Sequence, residues 1–166
     1  MKFLLLGYGN PGRGDDGLGP WLVERLEQQW QEMKQGRQLI TFLTAMQLQP
    51  EHVFDLEVHD RILLIDAGMG TTDPFVFEQL HPRRDDSFSS HSLSPQTLLA
   101  IYLDTLRRQP PPAFLLTVRG ENFSLGVPLT PEVLERIDRA RDFVCQLLRA
   151  PESDWLQQAG RYTGYA

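Results

Sequence analysis

Two apolar runs constrain this chain more than any other feature. Lys2–Leu6 and Arg61–Asp66 (RILLID) are almost continuously aliphatic over the length of a strand. An apolar run this short, with no polar alternation, reads as a strand buried on both faces. Leu39–Leu43, Phe75–Leu80 and Phe114–Val118 read as further strands, with Phe75–Leu80 at an edge. Between the strands, apolar residues recur at helical spacing. Leu18, Trp21, Leu22, Leu26, Trp30 and Met33 form one such stripe, opened at Gly19-Pro20 and closed at Gly36. Pro50–Leu56 reads as a short helix. Leu98, Leu99, Tyr102, Leu103 and Leu106 follow Ser94-Pro95, with Ser94 as N-cap, and Gln109–Pro112 ends that helix. Thr130-Pro131 opens the last helix, which runs to about Arg149. Strands alternating with helices predict an α/β fold of three layers, a twisted and mainly parallel sheet with helices on both faces. Residues 1–150 are read as a single domain. From Pro151 to Ala166 the chain has Trp155, Tyr162 and Tyr165 but little pattern, and is read as a tail that either docks on the body or is partly disordered.

The 166 residues suffice for one domain with a sizeable core. A net charge of -6 argues against an electrostatic grip on nucleic acid or anionic membrane, and suits a cationic partner or a metal ion. No apolar run has membrane-spanning length, and the N-terminal run lacks the longer apolar region of a secretory signal. The expectation is a cytoplasmic protein that works as a monomer. Cys145 is the only cysteine, which excludes an internal disulfide and multi-cysteine metal sites. Its placement among Leu134, Ile137, Val144 and Leu148 reads as a helix residue half-buried in the core rather than a nucleophile.

Ligand sites in folds of this class lie at the carboxyl ends of the strands. The first strand runs into GYGNPGRGDDGLGP, where Gly7, Gly9 and Gly12 have the spacing of a dinucleotide-binding loop. Three features oppose that reading. The helix is delayed past Gly19-Pro20, Asp15 and Asp16 would repel a phosphate, and Leu39–Thr44 lacks the acidic residue that would bind ribose. A carboxylate ahead of a helix N-terminus is instead kept ionised and suited to a cation. Asp15 reads as a capping residue; Asp16 is the candidate ligand. Asp66 ends an apolar strand at the same rim, where a carboxylate is costly unless paired or ligated. His91 follows the polar stretch His81–Ser90 and lies three residues before the Ser94 cap. Asp16, Asp66 and His91 brought together would leave an open coordination position, as a catalytic metal site requires. His52, His59 and His81 are weaker candidates.

The segments GYGNPGRGDDGLG, LLIDAG and SSHSLSP, in this order, resemble the hydrogenase maturation endopeptidases, which process the large subunit of nickel–iron hydrogenases. The resemblance extends from Met1 to about Arg149 and includes TAMQLQPE and LTVRGENFSLGVPLTPEV; Pro11-Gly12 departs from the aliphatic residues common at that point of the family. It implies a twisted sheet with helices on both faces. It also implies that Asp16, Asp66 and His91 form a metal-binding triad, and that a C-terminal extension is removed from the large-subunit precursor once nickel has been inserted. The metal would then arrive with the precursor, and no permanent cofactor is expected. The chain has no G-x-S-x-G and no H-E-x-x-H, as suits a peptidase that activates water through a metal or a carboxylate base. Two alternatives stand beside this reading: a non-catalytic nickel-dependent chaperone for the precursor, and a nucleotide-binding enzyme of doubly wound type.

Overall fold

A computed structural model describes residues 1–33, 38–70, 72–85 and 92–162. Five strands form one sheet: β1 (Lys2–Tyr8), β2 (Leu39–Ala45), β3 (Arg61–Gly68), β4 (Phe75–Leu80) and β5 (Ala113–Arg119), in the order β2-β1-β3-β5-β4. β2, β1, β3 and β5 are parallel, and β4 closes one edge antiparallel to β5. The two aliphatic runs are thus the interior pair β1 and β3, where burial from both sides matches their lack of alternation.

Side chains alternate across the sheet, so each central strand serves two cores. Phe3 and Leu5 of β1 and Leu63 and Ile65 of β3 face Leu22 and Leu26 of α1 (Leu18–Glu32) and Ile137, Val144 and Leu148 of α4 (Pro131–Arg149). Leu4, Leu6 and Tyr8, with Ile62 and Leu64, face Val53 and Leu56 of α2 (Val53–Glu57) and Leu98, Leu99 and Tyr102 of α3 (Pro95–Leu106). Burying each Leu or Ile contributes about 1.5–3 kcal/mol, and the three-layer arrangement predicted from the sequence follows.

Several boundaries differ from the sequence reading. A 3-10 turn at Gly14–Gly17 leads into α1, which starts at Leu18 rather than at Gly19-Pro20; Pro20 still lies in the first turn, where a missing N–H costs nothing. Gly36, expected to close α1, lies outside the described residues. Ser94 caps α3 as expected, its Oγ accepting from the Thr97 amide at 3.1 Å. That helix ends at Arg107, whose left-handed φ of 56° breaks the helical run before Gln109–Pro112 is reached. Trp21, counted in the apolar stripe of α1, turns partly outward, with the Arg25 guanidinium 5.4 Å from its ring. Cys145 is buried in the α4 core, and burial pushes its thiol up, away from nucleophile behaviour.

After Pro151 the chain forms α5 (Glu152–Tyr162). Trp155 is fully buried, its Nε1 donating to the Leu147 carbonyl at 2.7 Å and its ring stacking on Phe3 at 6.0 Å. Arg61, 2% exposed, lies 5.0 Å from the Trp155 ring and donates to Glu152 Oε2 at 3.1 Å. The segment from Glu152 to Tyr162 therefore docks at the amino-terminal end of β3, the end opposite Asp66. No helix among the described residues is long and apolar enough to cross a membrane.

Candidate active site

β1 leaves the sheet at Tyr8 and the chain folds back on itself. Gly9 has a φ of 143°, and a Cβ there would overlap the Asp16 carbonyl oxygen, so only glycine admits this return. The reversal is closed by the Arg13 amide donating to the Asn10 carbonyl at 3.0 Å and the Gly12 amide to Asn10 Oδ1 at 2.9 Å. The Asp16 amide donates to the Arg13 carbonyl at 3.2 Å. Asp16 Oδ2 then accepts from the Asn10 amide at 2.8 Å. One carboxylate oxygen is thus fixed, and Asp16 lines a cavity of about 740 Å³ at the carboxyl ends of β1 and β3.

Asp15, adjacent in sequence, does something different. It is 0% exposed, and its carboxylate accepts from the amides of Glu121 (2.7 Å), Asn122 (2.9 Å) and Thr130 (3.0 Å) and from the Thr130 hydroxyl. Burial pushes this carboxyl up, but the donors from Thr130, Asn122 and Glu121 outweigh it and hold it below the ordinary carboxylate range. The capping role expected for Asp15 is therefore long-range. It ties the first glycine loop to the segment between β5 and α4, and it occupies Thr130, the N-cap residue of α4.

Asp66 stands on the same sheet face as Leu64 and Ile62, because alternate residues share a face. It lines the same cavity as Asp16. Burial raises its pKa to about 6; the Ala67 amide, donating to Oδ1 at 2.8 Å, and the Tyr8 hydroxyl act against burial, while the charge of Asp16 acts with it. Asp16 and Asp66 are thus close enough to repel. Tyr8 was not singled out in the sequence. It follows Gly7, which pairs with Ile65 across β1 and β3, so Tyr8 comes level with Asp66 and on its face. Burial, then Asp66, drives the Tyr8 phenol well above its ordinary pKa, so it remains a donor to that carboxylate. The parallel pairing of the two aliphatic runs was the signal that would have found it.

His91 lies outside the described residues; Ser92 and Leu93, which follow it in the chain, line the cavity. The other histidines do not line it. His52 Nδ1 accepts from the Gln49 amide at 2.8 Å, and His59 pairs with the Asp55 carbonyl and Thr41 Oγ1. Among the described residues no group of three or more His, Cys, Asp or Glu side chains is placed to hold a metal ion; they bring together the carboxylate pair Asp16 and Asp66. The loop offers little to a phosphate. The amides of Asn10, Gly12, Arg13, Asp15 and Asp16 all bond within the protein, and a dinucleotide loop needs such amides free. Two carboxylates at one polar cavity, each held by a backbone amide, instead suit a divalent cation or the activation of a water.

No family model and no curated protein sequence matches the chain. Among solved structures, the nickel–iron hydrogenase maturation protease HycI from Thermococcus kodakarensis is similar with a TM-score of 0.67 and 19% identity, over 90% of this chain and 93% of that one. An endopeptidase from Escherichia coli is similar with a TM-score of 0.69 and 23% identity, over 93% and 99%. The hydrogenase maturating endopeptidase HybD from E. coli is 26% identical, with a TM-score of 0.64, over 90% and 93%. In fold the chain is similar to the solved hydrogenase maturation endopeptidases. The first two likenesses rest on fold. HybD adds sequence to fold, and the segments GYGNPGRGDDGLG and LLIDAG that suggested these endopeptidases supply the Asp16 and Asp66 walls of the cavity. In this chain the acidic pair lies at the β1/β3 crevice, where the strand order reverses.

Proposed function

We propose that this protein is the endopeptidase that removes the C-terminal extension of a nickel–iron hydrogenase large-subunit precursor after nickel insertion, with the bound nickel as its recognition signal. The observation that carries this reading is the meeting of Asp16, from the turn that follows β1, and Asp66, near the end of the neighbouring parallel strand β3, at one cavity. Asp16, Asp66 and His91 ligate the nickel from the enzyme side, and the precursor supplies its remaining ligands. The enzyme then needs no resident metal, because two carboxylates and one imidazole open to water bind a divalent ion weakly. Nickel held this way polarises the scissile carbonyl. Asp66, with its pKa near 6, is ionised at neutral pH and suited to take the proton of an attacking water. Its hydrogen bonds from Tyr8 and Ala67 keep it oriented for either task. The working unit is a monomer in the cytoplasm, with no nucleic acid or membrane partner.

The test is cleavage of nickel-loaded and nickel-free precursor side by side, with the mass of the product's C-terminus measured. Shortening of the loaded precursor alone is the expected result. Efficient cleavage of nickel-free precursor would remove the recognition role of nickel. Binding of the loaded precursor without any cleavage would make the protein a chaperone instead.

A further inference from the structure

Arg13 is the one cationic side chain among the described residues lining the cavity that holds Asp16 and Asp66. Arginines elsewhere in this protein engage carboxylates: Arg61 with Glu152, Arg108 with Glu57, Arg136 with Glu121. Arg13 has no side-chain partner among the described residues, although its carbonyl accepts from the amide of Asp16 and Asp66 lines the same cavity. A guanidinium beside two carboxylates forms ion pairs wherever the geometry permits. Here neither carboxylate takes it up. The Arg13 amide is tied to the Asn10 carbonyl, and the Asp16 carboxylate is turned back onto the Asn10 amide. The fork of donors is exposed at the cavity rim, beside an acidic pair that would repel any anionic stretch of a substrate.

We propose that Arg13 is a specificity-determining residue, gripping an oxygen acceptor on the precursor's C-terminal segment while Asp16 and Asp66 engage its nickel. This rests on the peptidase reading above and gives the peptide half of the substrate a contact of its own. The acceptor is a side-chain carboxylate or a main-chain carbonyl; both accept from a guanidinium. The contact is made in the bound substrate and the transition state alike, so it acts on KM and leaves kcat in place. Arg13→Ala is expected to raise KM for nickel-loaded precursor by about 10- to 100-fold, the range for loss of a charge-assisted hydrogen bond. Arg13→Lys, which keeps the charge without the fork, falls between. Arg139→Ala, the same charge change on the outer face of α4, leaves KM unchanged.

The experiment measures kcat, KM and the dissociation constant of nickel-loaded precursor for wild type and these three variants. It then pairs Arg13→Ala with neutral replacements of each acidic residue in the precursor's extension. Coupling to one acidic residue identifies a carboxylate acceptor; a raised KM coupled to none identifies a main-chain carbonyl. An unchanged KM, a fall in kcat alone, or an equal effect of Arg139→Ala overturns the assignment. Wild type that binds precursor without cutting it refutes the peptidase and leaves the ratio of dissociation constants to decide Arg13. Wild type that neither binds nor cuts refutes both.

Discussion

Asp15 and Asp16 are neighbours in sequence and should fail in opposite ways. Asp15 is buried, and its two oxygens accept three backbone amides and one hydroxyl from residues more than a hundred positions away. Asp15→Ala removes all four acceptor contacts and leaves the amides of Glu121, Asn122 and Thr130 to find water or go unpaired. A hydrogen bond to a charged group contributes about 1.5–3 kcal/mol, and an orphaned buried donor costs about 1–3 kcal/mol. Such terms do not add fully within one network, so a net loss of roughly 3–5 kcal/mol is expected. For a chain of this size that corresponds to a fall in Tm of about 6–20 °C. The pH dependence has a definite sign. The folded pKa of Asp15 lies below its unfolded value, so its stabilisation is complete above the unfolded pKa of about 4 and is lost as pH falls through the folded pKa. Urea unfolding of wild type and Asp15→Ala at pH 7 and near pH 3 measures this: the gap between them should narrow at the lower pH. A destabilisation under about 1 kcal/mol at pH 7, or lost processing with an unchanged Tm, would show that Asp15 serves the chemistry and not the fold.

Asp16→Asn and Asp66→Asn should each reduce processing of nickel-loaded precursor by about two orders of magnitude or more, with Tm equal to or above wild type once the repulsion between the two carboxylates is relieved. Carboxyl NMR of the free enzyme should place the Asp66 midpoint near the value of about 6, and Asp16→Asn should lower it by removing a like charge; because burial raises this pKa, Asp66 should cost stability as pH rises from about 4 to about 6, so the Tm advantage of Asp66→Asn should grow over that interval. Trp155→Ala should cost about 3–5 kcal/mol in urea unfolding, since it empties a fully buried site and strands the cation of Arg61 beneath it. Metal analysis of purified enzyme should find no stoichiometric metal, and brief chelation should leave processing intact; one tightly held ion per chain would favour an ordinary metallopeptidase.

The sheet was legible because its signals are local. An aliphatic run such as RILLI has no favourable surface position in water, and its length permits a strand and little else. A carboxylate that ends such a run, or that sits in the loop into which one runs, falls at the ligand rim, so Asp66 and Asp16 are legible as candidates in the chain alone, and the structure brings them to one cavity. His91 was named beside them and lies outside the described residues. What sequence could not carry was pairing between distant segments. Nothing near Asp15 signals that Thr130 and the 121–122 backbone will close over it. Tyr8 meets Asp66 only once β1 and β3 are in register, and Trp155 looks like a stray tail aromatic until Phe3 and Arg61 present a surface for it. Burial patterns are imposed residue by residue through contact with water, and so are written in the local sequence. A buried carboxylate's choice of donors is settled by which backbone amides the assembled fold leaves within about 3 Å, a condition that exists only in three dimensions.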